Sequence, residues 1–309
     1  MLWSSLKSGF AQVRANQRLL WVFYLANLFF GLLLLLPLRA VLQNFIGDST
    51  LGTRLGGNLD MDFFFEFLKY HDDAGAIIMT LILIVPAANW LFTLFLSGGA
   101  FAVFASGDKY EAAFFWGNAA KYFGRFLRLV LWSLPIFVLL FCVQFLETGF
   151  QRLFWGKDPY QNIAYWGAWT KVGLRALSFL IFGMILDYSR IHAVLTGEKT
   201  ARISLRHGLN FVFGNFLQTF GLGLLLLAIG AGVLLIYNPL ADSLNAPNGL
   251  IVFMLFLAQQ LYMMVRTLLR LTLYASQLHL YRQLAPTAAP VLITTPENSG
   301  TEGFAPAVS

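Results

Sequence analysis

Ionisable side chains inside long apolar runs are the residues of this sequence whose types and spacing could do chemistry. Asp187 and Arg190 stand in ILDYSRIHAV at i,i+3 spacing, which allows a local ion pair on a helix. A later run carries a polar stripe at helical spacing, which contains Gln259, Arg266, Arg270, Tyr274, Gln277 and Tyr281. Charges are costly inside such runs, so these residues define the first candidate site.

Two interpretations of this site remain open. Counted at about 1.5 Å per residue along a helix, Asp187 and Arg266 reach similar depths, so we expect them to pair or to share a network. In the first interpretation, the network is an Asp–Arg clamp between two helices. In the second, Arg190, Arg266 and Arg270 leave a positive excess beside Tyr274, which forms a basic pocket, open to the cytoplasm, for a phosphate-bearing headgroup or another anion.

The composition indicates the elements that must position these residues. Of 309 residues, 58% are hydrophobic and 12% are charged, the mean hydropathy is +0.67, and a soluble domain carries about 25% charged residues. The sequence therefore predicts an all-α, polytopic membrane helix bundle. Runs of about 20 apolar residues place six transmembrane helices at about 19–42, 75–100, 126–147, 172–195, 215–237 and 249–275, the last continuing to about 284.

The distribution of Lys and Arg predicts the orientation of the bundle. Loops on one side hold most of the basic residues, and loops on the other side hold most of the acids. Cytoplasmic loops carry the basic excess in membrane proteins, so both termini are predicted to be cytoplasmic. The same rule explains the net charge of +6 without a nucleic-acid partner.

An internal repeat connects the four middle spans. Ser106–Leu129 aligns without a gap with Thr196–Thr219, and both copies read S/T-G-D/E-K followed by F-G-x-F-L. Each copy is predicted to be a span, a cytoplasmic amphipathic helix and a returning span, with repeat units at about 75–147 and 165–237. The repeats are parallel, so an axis along the membrane normal relates them. Gly107 and Gly197 permit a positive φ where a span stops.

Basic faces on the two amphipathic helices form a second candidate site. The faces are lined by Lys121, Arg125 and Arg128 in the first copy and by Lys199, Arg202 and Arg206 in the second. In one interpretation the helices follow the positive-inside rule and dock under the bundle. In the other they bind anionic lipid headgroups or a cytoplasmic partner. The two interpretations do not exclude each other.

Two further segments have distinct compositions. LDMDFFFEFLKYHDD, beginning at Leu59, predicts an interfacial amphipathic helix with its phenylalanines at the headgroup boundary. Its acids are explained by a solvated face, so no metal site is predicted there. The six-helix domain is predicted to cover 1–284. The tail 285–309 is rich in Pro, Thr, Ala and Gly and is predicted to be disordered.

The sequence carries no catalytic constellation. It has no G-x-S-x-G, no H-E-x-x-H and no Walker loop. The single cysteine, Cys142, excludes a disulfide framework and a thiolate metal cluster. We therefore expect no cofactor, no metal and no enzymatic activity.

A family resemblance rests on the repeat and on DYSRIHAVLTGEKTARISLRHGLNFVFGNF. The chain resembles a group of uncharacterised bacterial six-span membrane proteins and is distantly similar to the membrane domain attached to some glycerophosphodiester phosphodiesterases. The likeness covers most of 1–284 as hydropathy and loop placement. No soluble phosphodiesterase domain is present, so no catalytic residue carries over. The resemblance implies a bacterial inner-membrane location and a role near lipids or the envelope.

Three classes of function follow. The expected function is transport or handling of lipids or other anionic amphiphiles through the basic pocket, with anionic headgroups at the cytoplasmic face as partners. The alternative is a scaffold or assembly factor that docks partners through its amphipathic helices. An intramembrane enzyme comes last, because paired acids, metal ligands and an activated nucleophile are missing.

Overall fold

The fold is given by a computed structural model, which describes residues 1–46, 69, 72–156, 160–243 and 249–285. The described residues form helices without a strand, so the prediction of an all-α fold is confirmed. Numbered in chain order, these helices are α1 (Leu2–Ala15), α2 (Gln17–Ile46), α3 (Asp72–Ser106), α4 (Ala112–Cys142), α5 (Gln144–Trp155), α6 (Gln161–Thr196), α7 (Ala201–Gly214), α8 (Phe216–Ser243) and α9 (Gly249–Leu284).

Six described segments are long and apolar enough to cross a membrane, as predicted. They are Gln17–Val41, Gly75–Ser106, Ala112–Trp155, Gln161–Thr196, Phe216–Ala241 and Gly249–Leu284. At most 22% of the most apolar window of each segment is buried inside the protein. Most of this apolar surface therefore faces outward, which is the arrangement expected of helices surrounded by lipid.

Two spans differ in extent from the prediction. The fourth begins at Gln161 rather than near 172, because polar partners on α5 hold its charged first half. The predicted amphipathic segment of the first copy and the third span form one continuous helix, α4. Its buried positions recur every three or four residues through both parts, so nothing interrupts the helix; they include Phe115, Ala119, Tyr122, Phe126, Leu129 and Ser133.

The N-terminal helix α1 was not predicted from the sequence. It spans 14 residues, and its buried positions, Ser5, Gly9 and Val13, include only one large apolar side chain. A hydropathy pattern therefore does not reveal it. The helix ends at Asn16, where φ is −117° and ψ is 47°. The Asn16 Nδ2 donates to the Gln12 carbonyl at 3.1 Å.

The core lies toward one end of the bundle, which we call the turn end because the turns 107–111 and 197–200 lie there. The C-terminal parts of α3, α6 and α9 meet at this end, and their buried side chains belong to one apolar cluster. Arg282 near the end of α9 donates to the carbonyl of Ala105 in α3. Gly107 and Gly197 have φ of 77° and 67°, so both turns use the left-handed conformation that the sequence predicted.

Two predicted elements fall outside this description. The interfacial helix beginning at Leu59 lies outside the described residues except for Lys69 and the start of α3. The tail 286–309 also lies outside them. The internal repeat stays a prediction from the sequence.

Candidate functional site

Helix α6 positions the acid of the first candidate site. Asp187 lies one residue before the buried Tyr188. Its Oδ1 accepts a hydrogen bond from Arg190 Nη1 at 3.2 Å, and the side chains are 14% and 9% exposed. The ion pair expected from the i,i+3 spacing is therefore present. It balances the charge of Asp187 within its own helix.

Helix α9 positions two further arginines of the site. Arg270 Nε donates to the Tyr274 hydroxyl at 3.0 Å. Tyr274 is in turn fixed by Phe101 of α3, with ring centroids 4.7 Å apart. Arg266 has no ion-pair or hydrogen-bond partner among the described residues. One arginine of α9 is thus held in place by a neutral group, and the other is unpartnered.

A cavity brings three of the predicted site residues together. It has a volume of about 300 Å³ and lies between α6, α8 and α9. Asp187, Arg266, Arg270 and Gln277 are its polar lining residues, and the remaining walls are glycine, leucine, methionine and phenylalanine. The Gln277 Oε1 atom is buried without a hydrogen-bond partner. The cavity, which we call the α8-side cavity, therefore combines positive charge, an unsatisfied acceptor and apolar walls.

A second cavity of about 300 Å³ lies between α2, α3 and α9 and shares the same two arginines. Arg266 and Arg270 line it together with the amides Asn27 and Asn89. The Asn89 Oδ1 atom is buried without a partner. We call this the α2-side cavity. The α9 arginines thus stand between two cavities that different helices enclose.

The predicted clamp between α6 and α9 is not an ion pair. Among the described residues, Asp187 forms an ion pair with Arg190, and none joins it to Arg266 or Arg270. Arg190 lies one turn away on the same helix, and it is the arginine that forms the ion pair with this carboxylate. Asp187 and Arg266 share the wall of the α8-side cavity instead.

A hydrogen bond that the sequence did not predict joins α6 to α9. His192 Nδ1 lies 2.9 Å from the Tyr281 hydroxyl, and both side chains are buried. The ring of His192 also stacks on His207 of α7, with centroids 4.4 Å apart. The turn 197–200 folds α7 back along α6 and brings the two histidines together, although they lie 15 positions apart in the sequence. The turn predicted at 197–200 implies that the next helix folds back along the span, and this was the signal from which the contact of the two histidines could have been predicted.

The basic faces of the second candidate site are used in two ways. Arg125 Nη1 donates to the Gly197 carbonyl at 3.1 Å, and the Arg202 guanidinium lies 3.7 Å from the centroid of Trp132. These two arginines therefore join the first helix pair to the second. The other basic side chains are exposed and form an outward surface; they are Lys121, Arg128, Lys199 and Arg206.

A polar cluster between α5 and α6 was missed by the sequence analysis. Lys171 Nζ lies 3.0 Å from Glu147 Oε2, and Arg175 Nε donates to Gln144 Oε1 at 2.9 Å. Glu147 Oε1 is buried without a partner. The repetition of Gln144, Glu147 and Gln151 every three or four residues was the available signal. This cluster holds α5 against α6. It lies in the first half of α6, whereas the turn end lies just after the last residue of α6.

The described residues contain no group of three His, Cys, Asp or Glu side chains that could hold a metal ion. The fold and site together define a class of protein, a multi-pass helical membrane protein with arginine-lined cavities inside its bundle. No protein-family model, curated protein or solved structure matches the chain. The functional assignment therefore depends on the site itself.

Proposed function

We propose that this protein binds anionic amphiphiles, membrane lipids above all, in the cavities on either side of Arg266 and Arg270, and that it transports or handles them in the bacterial inner membrane. One observation carries the proposal. Two arginines inside an apolar span line both cavities, and no acidic side chain of the described residues pairs with either. Asp187 is the one acid among the described residues that line the cavities, and Arg190 offsets its charge.

The energetic cost of these arginines favours a ligand. A charge within a membrane span is expensive unless it is paired or wetted, and such residues mark ligand sites by default. Arg266 lies near the middle of the 36 residues of α9, a helix that is apolar enough to span a membrane. The planar guanidinium also matches the geometry of phosphate oxygens. An anionic headgroup would compensate both charges.

The cavity walls favour an amphiphile over a free inorganic anion. Apart from its polar lining, the α8-side cavity is bounded by apolar side chains such as Leu180, Leu226 and Leu269. A volume of about 300 Å³ accommodates a headgroup and the first part of a chain, and the rest of the chain would continue into the bilayer. The basic surface near the turn end supports a cytoplasmic orientation for that end.

Native mass spectrometry of the purified protein tests this function. Wild-type protein in a mild detergent is expected to carry bound anionic phospholipid, and Arg266→Gln with Arg270→Gln is expected to lose it. The matched control is Arg152→Gln, which removes an exposed arginine of α5 outside the cavities and outside the basic faces and should leave lipid binding unchanged. Equal lipid binding by wild type and the double variant would contradict the proposal.

A scaffold is the second candidate function, and the exposed basic surface favours it. In the part of the chain that the structure describes, no side-chain hydrogen bond or ion pair is made by Lys121, Arg128, Lys199 or Arg206, and Lys121 lies over the ring of Tyr122. A protein partner that crosslinks to wild type, is lost when these four residues become Gln and is retained when Arg266 and Arg270 become Gln would support a scaffold.

A further inference from the structure

We infer that the site prefers amphiphiles that end in a phosphate monoester to singly charged phosphodiester lipids. The inference rests on the proposed function and names the ligand class of the same site. It depends on the number of charges around the two cavities and on the placement of the two arginines along α9.

The charged groups that face the site leave two positive charges unbalanced. Helix α6 contributes Asp187 and Arg190, which pair with each other. Helix α9 contributes Arg266 and Arg270, and the neutral Tyr274 is the recorded partner of Arg270. The other helices that enclose the cavities, α2, α3 and α8, supply only uncharged lining residues. The site therefore carries two positive charges that no acidic side chain of the described residues balances.

Charge balance distinguishes the two kinds of headgroup. A phosphodiester such as phosphatidylglycerol carries one negative charge and leaves one arginine unbalanced. A phosphate monoester carries a charge of about −1.5 to −2 at pH 7, because its second proton is lost near pH 6. It would balance both arginines. The difference is large inside a bundle because water, which would screen an unbalanced charge, is largely excluded.

The geometry also favours a terminal phosphate. Arg266 and Arg270 are four residues apart on one face of α9, so their β-carbons lie about 5–6 Å apart. Two guanidinium groups at that spacing can bracket one phosphate, and a monoester offers them three terminal oxygens where a diester offers two. The bond from Arg270 Nε to Tyr274 leaves the terminal nitrogens of that guanidinium for the ligand.

Lipid binding by the full-length protein in phosphatidylcholine nanodiscs tests the inference. Phosphatidic acid and phosphatidylglycerol with identical acyl chains are the two probes. Phosphatidic acid is expected to bind about tenfold more tightly at pH 7.5. Its affinity should also rise by up to about tenfold between pH 5 and pH 8, because the phosphate loses its second proton in that range. The affinity for phosphatidylglycerol should not change, because its headgroup keeps one charge over this range, and it controls for effects of pH on the protein itself.

Variants separate this inference from the proposed function. Arg266→Gln or Arg270→Gln should reduce the preference for phosphatidic acid to about twofold or less, while the exposed Arg152→Gln keeps it. Equal affinities for the two probes, both lowered by the α9 substitutions, would overturn the preference and leave the proposed function standing. Affinities that do not respond to those substitutions would overturn both. If a variant fails to fold, the pH dependence of the wild-type protein alone decides.

Discussion

Two helix pairs, α3–α4 and α6–α7, fold back at the turn end, and they achieve close packing with different residues. In α3 the close approach is made by Gly98 and Gly99. A β-carbon on Gly99 would lie 2.6 Å from the Phe115 ring and 2.7 Å from the Phe115 carbonyl oxygen. In the second pair the glycine lies on the other helix. A β-carbon on Gly208 of α7 would overlap the Ser189 hydroxyl and lie 2.9 Å from its backbone nitrogen.

This exchange explains how α6 can carry the Asp187–Arg190 pair close to α7. Ninety residues after Ser97–Ala100 the sequence has Asp187–Arg190, so small residues in the first pair correspond to a polar segment in the second. Because α7 supplies the glycine, α6 is free to carry large and charged side chains at this level. The first pair packs closely through α3, and the second pair contributes Asp187 to the proposed ligand site.

The two pairs also differ in how the chain continues into the next span. Helix α4 is continuous, whereas α7 ends at Asn215, with φ of −125° and ψ of 40°. The Asn215 Nδ2 donates to the Phe211 carbonyl at 3.3 Å, which competes with the helical pattern. The corresponding residue of the first pair is Arg125, whose side chain reaches across to Gly197. The same asparagine geometry separates α1 from α2 at Asn16.

The largest effect is expected from Gly99→Ala, which tests whether α3 needs a glycine. The added methyl group meets the backbone and ring of Phe115, which cannot both move away, so we expect destabilisation by about 2–3 kcal/mol. The measurement is the thermal unfolding of the detergent-solubilised protein. Gly117→Ala is the control, since a β-carbon there meets nothing within 4 Å, and it should stabilise α4 slightly. Equal melting temperatures for both variants would show that the packing of α3 on α4 does not depend on a glycine at position 99.

A smaller effect is expected from Gly208→Ala in the second pair. Here the nearest atom is the Ser189 hydroxyl, which can move, and the one backbone atom in close approach is the Ser189 nitrogen at 2.9 Å, so we expect a cost of about 1–2 kcal/mol. Adding Ser189→Ala should recover part of it, because the hydroxyl bonds only the Ile185 carbonyl of its own helix. The same thermal unfolding measurement applies. A cost as large as that of Gly99→Ala, with no recovery, would remove the difference between the two pairs.

The contact between the pairs is tested by Arg125→Ala. This change removes the hydrogen bond to the Gly197 carbonyl and the packing of the guanidinium on Tyr122. The expected loss is about 1 kcal/mol, since the arginine is only half-buried. Arg128→Ala, three residues later and exposed, should change stability by less than about 0.5 kcal/mol. If chemical denaturation in detergent gives the same loss for both, Arg125 does not join the pairs.

The sequence was sufficient for features that depend on neighbouring residues. Hydropathy predicted the six spans, the S/T-G-D/E-K pattern predicted the left-handed turns, and i,i+3 spacing predicted the pair of Asp187 with Arg190. It was insufficient for contacts that depend on how one helix is rotated about its axis relative to its neighbour. Depth along a helix suggested that Asp187 would meet Arg266, but the two line one cavity without pairing. The cavities themselves depend on that same rotation.

Short helices were missed for a related reason. Helix α5 follows α4 after a break at Val143, and its polar residues face α6 rather than water. Hydropathy alone treats Glu147 and Lys171 as loop residues because it does not record that they neutralise each other. Partnership between helices is the information that a single sequence lacks.

The smallest effect is expected at the turns, where the two pairs are most alike. The Thr200 backbone N–H donates to Glu198 Oε1 at 2.9 Å, and this bond lowers the pKa of Glu198. A carboxylate with a lowered folded pKa contributes stability above its unfolded pKa, and that contribution is lost as the pH falls through the folded value. Glu198→Gln should therefore lower the melting temperature at pH 7 by no more than about 1–2 °C, and the difference should vanish near pH 3. Asp108→Asn in the first turn is the matched control, because the structure records no bond to the Asp108 carboxylate among the described residues. A melting temperature of Glu198→Gln that stays below wild type at low pH would show that the carboxylate charge is not the cause.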